Sequence, residues 1–135
     1  MLSFFWKSRY SVGVREMDKQ HQVIMQHLNE LHEELLGGKI NQTVIRLSDD
    51  LVSLAIEHFT AEEKLMESTQ FPGLAEHRAS HQWLLAKVRD FTARQESGDP
   101  SAYCQFMYFV REWMTRHMEK EDQRYAPWLA EHGIS

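Results

Sequence analysis

Apolar residues along the chain recur at alternating spacings of three and four, and no stretch alternates with period two. That rhythm predicts helices over residues 18–37, 41–68, 73–96 and 101–120. Glycine and proline fall between these segments, at Gly37-Gly38, Phe71-Pro72-Gly73 and Ser97-Gly98-Asp99-Pro100. Gly98 suits a helix end, and Asp99 and Pro100 suit an N-cap and a first helical position. Each segment carries one seam. The first runs Met17, His21, Ile24, Leu28, Leu31, Leu35, and the second includes Val44, Leu47, Leu51, Leu54, His58, Glu62, Leu65. The third runs Leu74, His77, His81, Leu84, Val88, Phe91, and the fourth Tyr103, Phe106, Val110, Trp113, His117. The expected fold is all-α: an antiparallel up-down-up-down four-helix bundle, one domain over residues 1–135, with an N-terminal arm at 1–17 and a short C-terminal tail at 121–135.

The seams contain groups that a core does not ordinarily accept. His21, His58, Glu62, His77, His81 and His117 all occupy inward positions. Short connections make successive helices antiparallel, so starts of odd helices and ends of even ones share one end of the bundle. His21, His77 and His81 lie near such starts, and His58, Glu62 and His117 near such ends. They therefore collect in one layer. The pairs His58/Glu62 and His77/His81 are spaced i,i+4 and face one way. Asp122 lies about 140° around an ideal helix from His117. It joins the layer only if the helix unwinds or ends there.

Composition narrows the reading. The 135 residues suffice for one core, and 42% hydrophobic with 26% charged is ordinary for a globular protein. A formal charge of −5 without long single-sign runs argues against a nucleic-acid partner. No apolar run is long enough for membrane insertion, and the start MLSFFWKSRY lacks the order of a secretory signal. The single cysteine, Cys104, forbids an internal disulfide, which fits a cytoplasmic location. The outlier is histidine, eight residues in all.

One buried histidine reads as a hydrogen-bonded core residue. A whole layer of imidazoles and carboxylates needs a central charge to organise it. Five imidazoles and two carboxylates exceed the four ligands of a structural zinc site and suit two metals with bridging carboxylates. Imidazole accepts iron, zinc, copper or nickel, so donor type alone does not name the metal.

With SVGVREMDKQH at 11–21, HFTAE at 58–62, HRASH at 77–81 and HMEKED at 117–122, the chain resembles the hemerythrins, in particular the bacteriohemerythrin branch. The ordered pattern H…HxxxE…HxxxH…HxxxxD is matched throughout. The resemblance implies two non-haem iron ions bridged by carboxylates and an oxo or hydroxo group. His77, His81 and His117 would complete one iron. His21 and His58 would bind the other and leave it a free position for dioxygen. Glu62 and Asp122 would bridge. Ile24, Phe59, Trp113 and Met114 would line a dry oxygen pocket.

The expected function is reversible dioxygen binding rather than enzymatic turnover. The protein would act as a carrier or store, or as an oxygen- or redox-sensing module coupled to a fused or separate output domain or to a homo-oligomer. The alternative is a di-iron enzyme acting on peroxide, nitric oxide or dioxygen. His27, His32 and His132 read as flank or surface histidines. Cys104 reads as a small helix packer. Glu57, Glu63 and Lys64 read as a solvated face. Phe4–Trp6 and Tyr10 are expected to cover the bundle, and the tail with Pro127 and Trp128 to fold back over the polar end.

Overall fold

The computed structural model describes residues 4–99 and 101–135. Four long helices carry the fold: α1 (Arg15–Leu35), α2 (Gln42–Ser68), α3 (Leu74–Glu96) and α4 (Ser101–Arg116). A π-helical turn, His117–Glu121, continues α4 into α5 (Asp122–Glu131). α1 packs on α2 and α4, and α3 packs on α2 and α4, closing the bundle. Among the described residues, no helix is long and apolar enough to cross a membrane.

Helix ends follow from local chemistry. The Asn41 side chain accepts the Val44 N–H at 2.9 Å, an N-cap that starts α2. α2 stops at a Schellman turn, with Phe71 N–H donating to the Met66 carbonyl and Gln70 N–H to that of Glu67. The left-handed position of this turn falls on Gln70, at φ 57°, where glycine is the usual occupant. α3 ends in the same motif with Gly98 at φ 88°. The Asp99 carboxylate then accepts the N–H of Ser101 at 3.0 Å. Pro100, read from sequence as the first helical position, lies outside the described residues.

The core is divided. A larger cluster includes Ile24, Leu28, Leu31, Val44, Leu47, Leu51, Phe59, Leu84, Val88, Phe106, Val110 and Met114. A smaller one joins Val12, Val14, Met17, Met66, Tyr125 and Leu129, with Phe71, Leu74, Trp128 and Ile134 against it. α1, α2 and α3 each pass from one cluster to the other across their polar seam residues, and α4 does so through the π turn into α5. Thus α1 runs Met17, His21, Ile24, and α3 runs Leu74, His77, His81, Leu84. Each large apolar side chain buried here contributes about 1.5–3 kcal/mol relative to exposure. The polar layer is thus clamped from both sides.

Two segments differ from the sequence reading. The stretch after residue 120, read as a tail, is helical as far as Glu131. It continues α4 instead of folding back, and it covers the polar end through Tyr125, Leu129 and Trp128. Cys104 is exposed rather than packed, because it falls outside the buried arc of Tyr103, Phe106 and Met107. The arm is docked. Phe4 N–H donates to the Asn29 side chain at 2.6 Å, and Asn29 donates back to the Phe4 carbonyl at 2.8 Å. Gln123 ties the arm to the π turn, donating to the carbonyls of Ser11 and Met118 at 3.0 and 3.1 Å.

Candidate metal centre

The seven polar residues singled out in the sequence are all buried, none more than 4% exposed. They come from α1 (His21), α2 (His58, Glu62), α3 (His77, His81), the π turn (His117) and the start of α5 (Asp122). The π turn explains how Asp122 arrives. Its N–H donates to the carbonyl of His117, an i→i+5 bond that stacks residue 122 nearly over residue 117. An α-helix would have left it on another face.

Two groups of potential ligand atoms result, each lying within 4.8 Å of one another: Glu62, His77, His81, His117, and His21, His58, Glu62, Asp122. Glu62 belongs to both. Its Oε1 stands 2.7 Å from His77 Nε2 and 3.0 Å from His81 Nε2. Its Oε2 stands 3.2 Å from His58 Nε2 and 3.9 Å from His21 Nε2. Asp122 divides itself likewise, with Oδ1 2.9 Å from His117 Nε2 and 3.0 Å from His77 Nε2, and Oδ2 3.3 Å from His21 Nε2. Each carboxylate thus offers one oxygen to each half.

The donor set fits a pair of metal ions. Both nitrogens of His21 and Nε2 of His58 are buried with no hydrogen-bond partner. Such atoms are costly to bury unless something else satisfies them. His81 and His117 bring their Nε2 atoms within 3.1 Å of each other, an approach that a shared cation would rationalise.

The outward nitrogens are also held, and sequence reasoning missed the residues that hold them. His81 Nδ1–H donates to Glu63 Oε2 at 2.8 Å, and His58 Nδ1–H to the Gln20 carbonyl oxygen at 2.7 Å. His117 Nδ1 stands 2.7 Å from Glu121 Oε2. Tyr125 donates its O–H to Glu62 Oε2 at 2.8 Å. Glu63 is therefore not part of a solvated face. It is braced by Arg78 at 3.1 Å and turned to His81. Sequence signals existed: Glu121 is i,i+4 from His117, Tyr125 is i,i+3 from Asp122, and Gln20 and Glu63 adjoin seam residues.

Charge follows this geometry. For His77, burial is the largest single influence and acts downward. Hydrogen bonds to Asp122 and Glu62 and their charges outweigh it and raise His77 to about 9. For His117, burial is likewise outweighed, by Asp122, Glu121 and Glu62, which raise it to about 11. Burial dominates at His58 and lowers it, against the pull of Glu62. Burial opposes ionisation of Glu62 and Asp122, yet the surrounding imidazoles hold both well below the usual carboxylate range. The His117 hydrogen bond brings Glu121 down to about 2.

Of the apolar residues singled out, Ile24, Phe59 and Met114 are buried and Trp113 is half-buried. Phe59 stacks on His81, with centroids 3.9 Å apart, and its ring lies 5.9 Å from that of His58. Trp113 stacks on His117 at 4.3 Å, so it sits against the three-imidazole half. Ile24 and His58 share a surface cleft of about 230 Å³ with Gln20 and Leu54. His132 is exposed, and His27 and His32 are partly so.

The profile of the Hemerythrin HHE cation binding domain matches residues 12–129. The chain is 26% identical to a bacteriohemerythrin of Stenotrophomonas maltophilia, covering 98% of this chain and 85% of that one. It is 28% identical to a bacteriohemerythrin of Methylococcus capsulatus, covering 91% and 93%. Against the myohemerythrin of Riftia pachyptila the identity is 25%, covering 90% of each. The crystal structure of wild-type hemerythrin superposes with a TM-score of 0.86 at 26% identity, covering 96% of this chain and 99% of that chain.

Proposed function

We infer the function of this chain from the premise that it belongs to the hemerythrin family: it binds dioxygen reversibly at a non-haem di-iron centre. One observation carries the reading, the paired carboxylates Glu62 and Asp122 that each offer one oxygen to two groups of buried imidazoles. His77, His81 and His117 would hold one iron and His21 and His58 the other, with Glu62 and Asp122 between them. When bound, the irons supply reversible one-electron exchange with dioxygen. The protein's own residues do the rest. Tyr125 fixes the orientation of Glu62 through its O–H. Gln20, Glu63 and Glu121 fix the imidazole rings, which sets the inward nitrogen as the donor. Ile24, Phe59 and Met114, all buried, would line the two-imidazole half, where a free position for dioxygen would lie.

Binding and release, rather than turnover, is the reading that membership of the hemerythrin family supports. Tyr125 is buried beside the seven residues, and its proton is committed to Glu62. We propose a carrier or store as the basic role, with sensing as an elaboration through a partner.

The test is metal analysis, then anaerobic reduction, readmission of air and optical spectroscopy. Two irons per chain and a visible band that appears with air and disappears on deoxygenation are expected. A colourless, zinc-loaded protein, or a band that air bleaches irreversibly, would sink the reading.

A further inference from the structure

We propose that Glu63 and Glu121 are positioning residues that polarise the layer, making its three-imidazole half the easier one to oxidise, while Gln20 keeps the other half electronically neutral. The inference rests on the di-iron reading above and adds an ordering of the two halves.

The observation is an asymmetry in what the outward nitrogens meet. In the three-imidazole half, His81 and His117 face carboxylate oxygens at 2.8 and 2.7 Å. In the other half, His58 faces a neutral amide oxygen at 2.7 Å. A carboxylate acceptor draws the Nδ1 proton toward itself and makes the opposite nitrogen a stronger donor to a cation, and an amide does this less. The carboxylate charge also favours the more oxidised ion directly. Phe59 stacks on His81 and Trp113 on His117, which holds the planes of both rings. Arg78 lies 3.1 Å from Glu63 and offsets part of its charge, so Glu121 has the larger influence. Oxidation here means loss of one electron from each ferrous ion in turn, to dioxygen or to an electrode.

Glutamine in place of glutamate keeps an oxygen that accepts the Nδ1 proton and removes the charge. The experiment compares Glu121→Gln, Glu63→Gln and Gln20→Glu with the parent by iron content and mediated spectroelectrochemical titration. Glu121→Gln is expected to make the first oxidation step about tenfold less favourable, a positive shift of about 59 mV for one electron. Glu63→Gln should shift it the same way by less. Gln20→Glu should move the second step to more negative potential and leave the first in place. If both carboxylate variants keep their iron and the first step does not move, the inference is overturned. The same holds if only the second step moves. Should they lose iron, the zinc-loaded parent decides by nitrogen-15 NMR. Nδ1 protons of His81 and His117 shifted downfield of that of His58 support the inference, and equal shifts reject it. A parent protein without two irons would instead defeat the di-iron reading.

Discussion

On one side of Glu62, imidazoles from α3 and the π turn crowd Oε1, with carboxylates behind two of them. On the other, imidazoles from α1 and α2 stand farther from Oε2, with an amide or nothing behind them. The first half is held by charge. Its His77 and His117 are raised, and Glu121 stays ionised beside them. The second is held by exclusion, and burial keeps His58 neutral. The same residue types therefore make one half that carries charge in the metal-free chain and one whose His58 stays neutral. What distinguishes the halves is the layer of contacts outside the ligands.

The largest break in this comparison is Glu62→Ala, which removes the residue common to both halves. Loss of both irons is expected, along with about 3–5 kcal/mol of stability, as for one partner removed from a buried ionic network. Elemental analysis and denaturant titration check it. A variant that retains one iron would mean that the halves are independent.

Next comes pH, to which the halves of the metal-free chain respond in opposite senses. His77 is raised to about 9 and His117 to about 11, so the stability they contribute is complete below the ordinary histidine value of about 6.5. It fades as pH rises through those values. His58 is lowered, so its contribution is present above about 6.5 and fades as pH falls through its own lower value. Thermal melts of chelator-treated protein should peak near neutrality, and the loaded protein should lose the alkaline decline, because metal replaces those protons. A metal-free chain that gains stability steadily up to about pH 10 would contradict the charged-half description.

The smallest is Tyr125→Phe, which removes a hydrogen bond to a buried carboxylate and is expected to cost about 1.5–3 kcal/mol. Because Tyr125 donates to Oε2, the two-imidazole half should lose iron affinity first. Stepwise chelation, followed optically, would show whether it does.

Much of this was legible in the sequence. The seams at three- and four-residue spacing placed His21, His58, Glu62, His77, His81 and His117 in one layer, because helical periodicity and antiparallel order are local and regular. Asp122 was not derivable from periodicity, since an α-helix is assumed in that arithmetic and the chain makes a π turn. Gln20, Glu63, Glu121 and Tyr125 escaped for another reason. They sit on the shoulders of the seams, and their role depends on which edge of a ring faces outward, a rotamer property that spacing does not carry. Pro127 made the end of the chain look like a tail, yet it falls inside a helix that Tyr125 and Leu129 anchor by burial.

The π turn has a mechanical consequence. It acts as a one-residue phase shift that sets the angular position of the helix after it. Asp122, Tyr125 and Leu129 ride on the same short helix, so the bridging carboxylate, the hydroxyl that steadies its neighbour and the plug over the metal end share one angular setting. Deleting a single residue between His117 and Asp122 would turn all three by about 100° together. Ligand geometry and end closure are thus geared to each other, and neither can be reset alone.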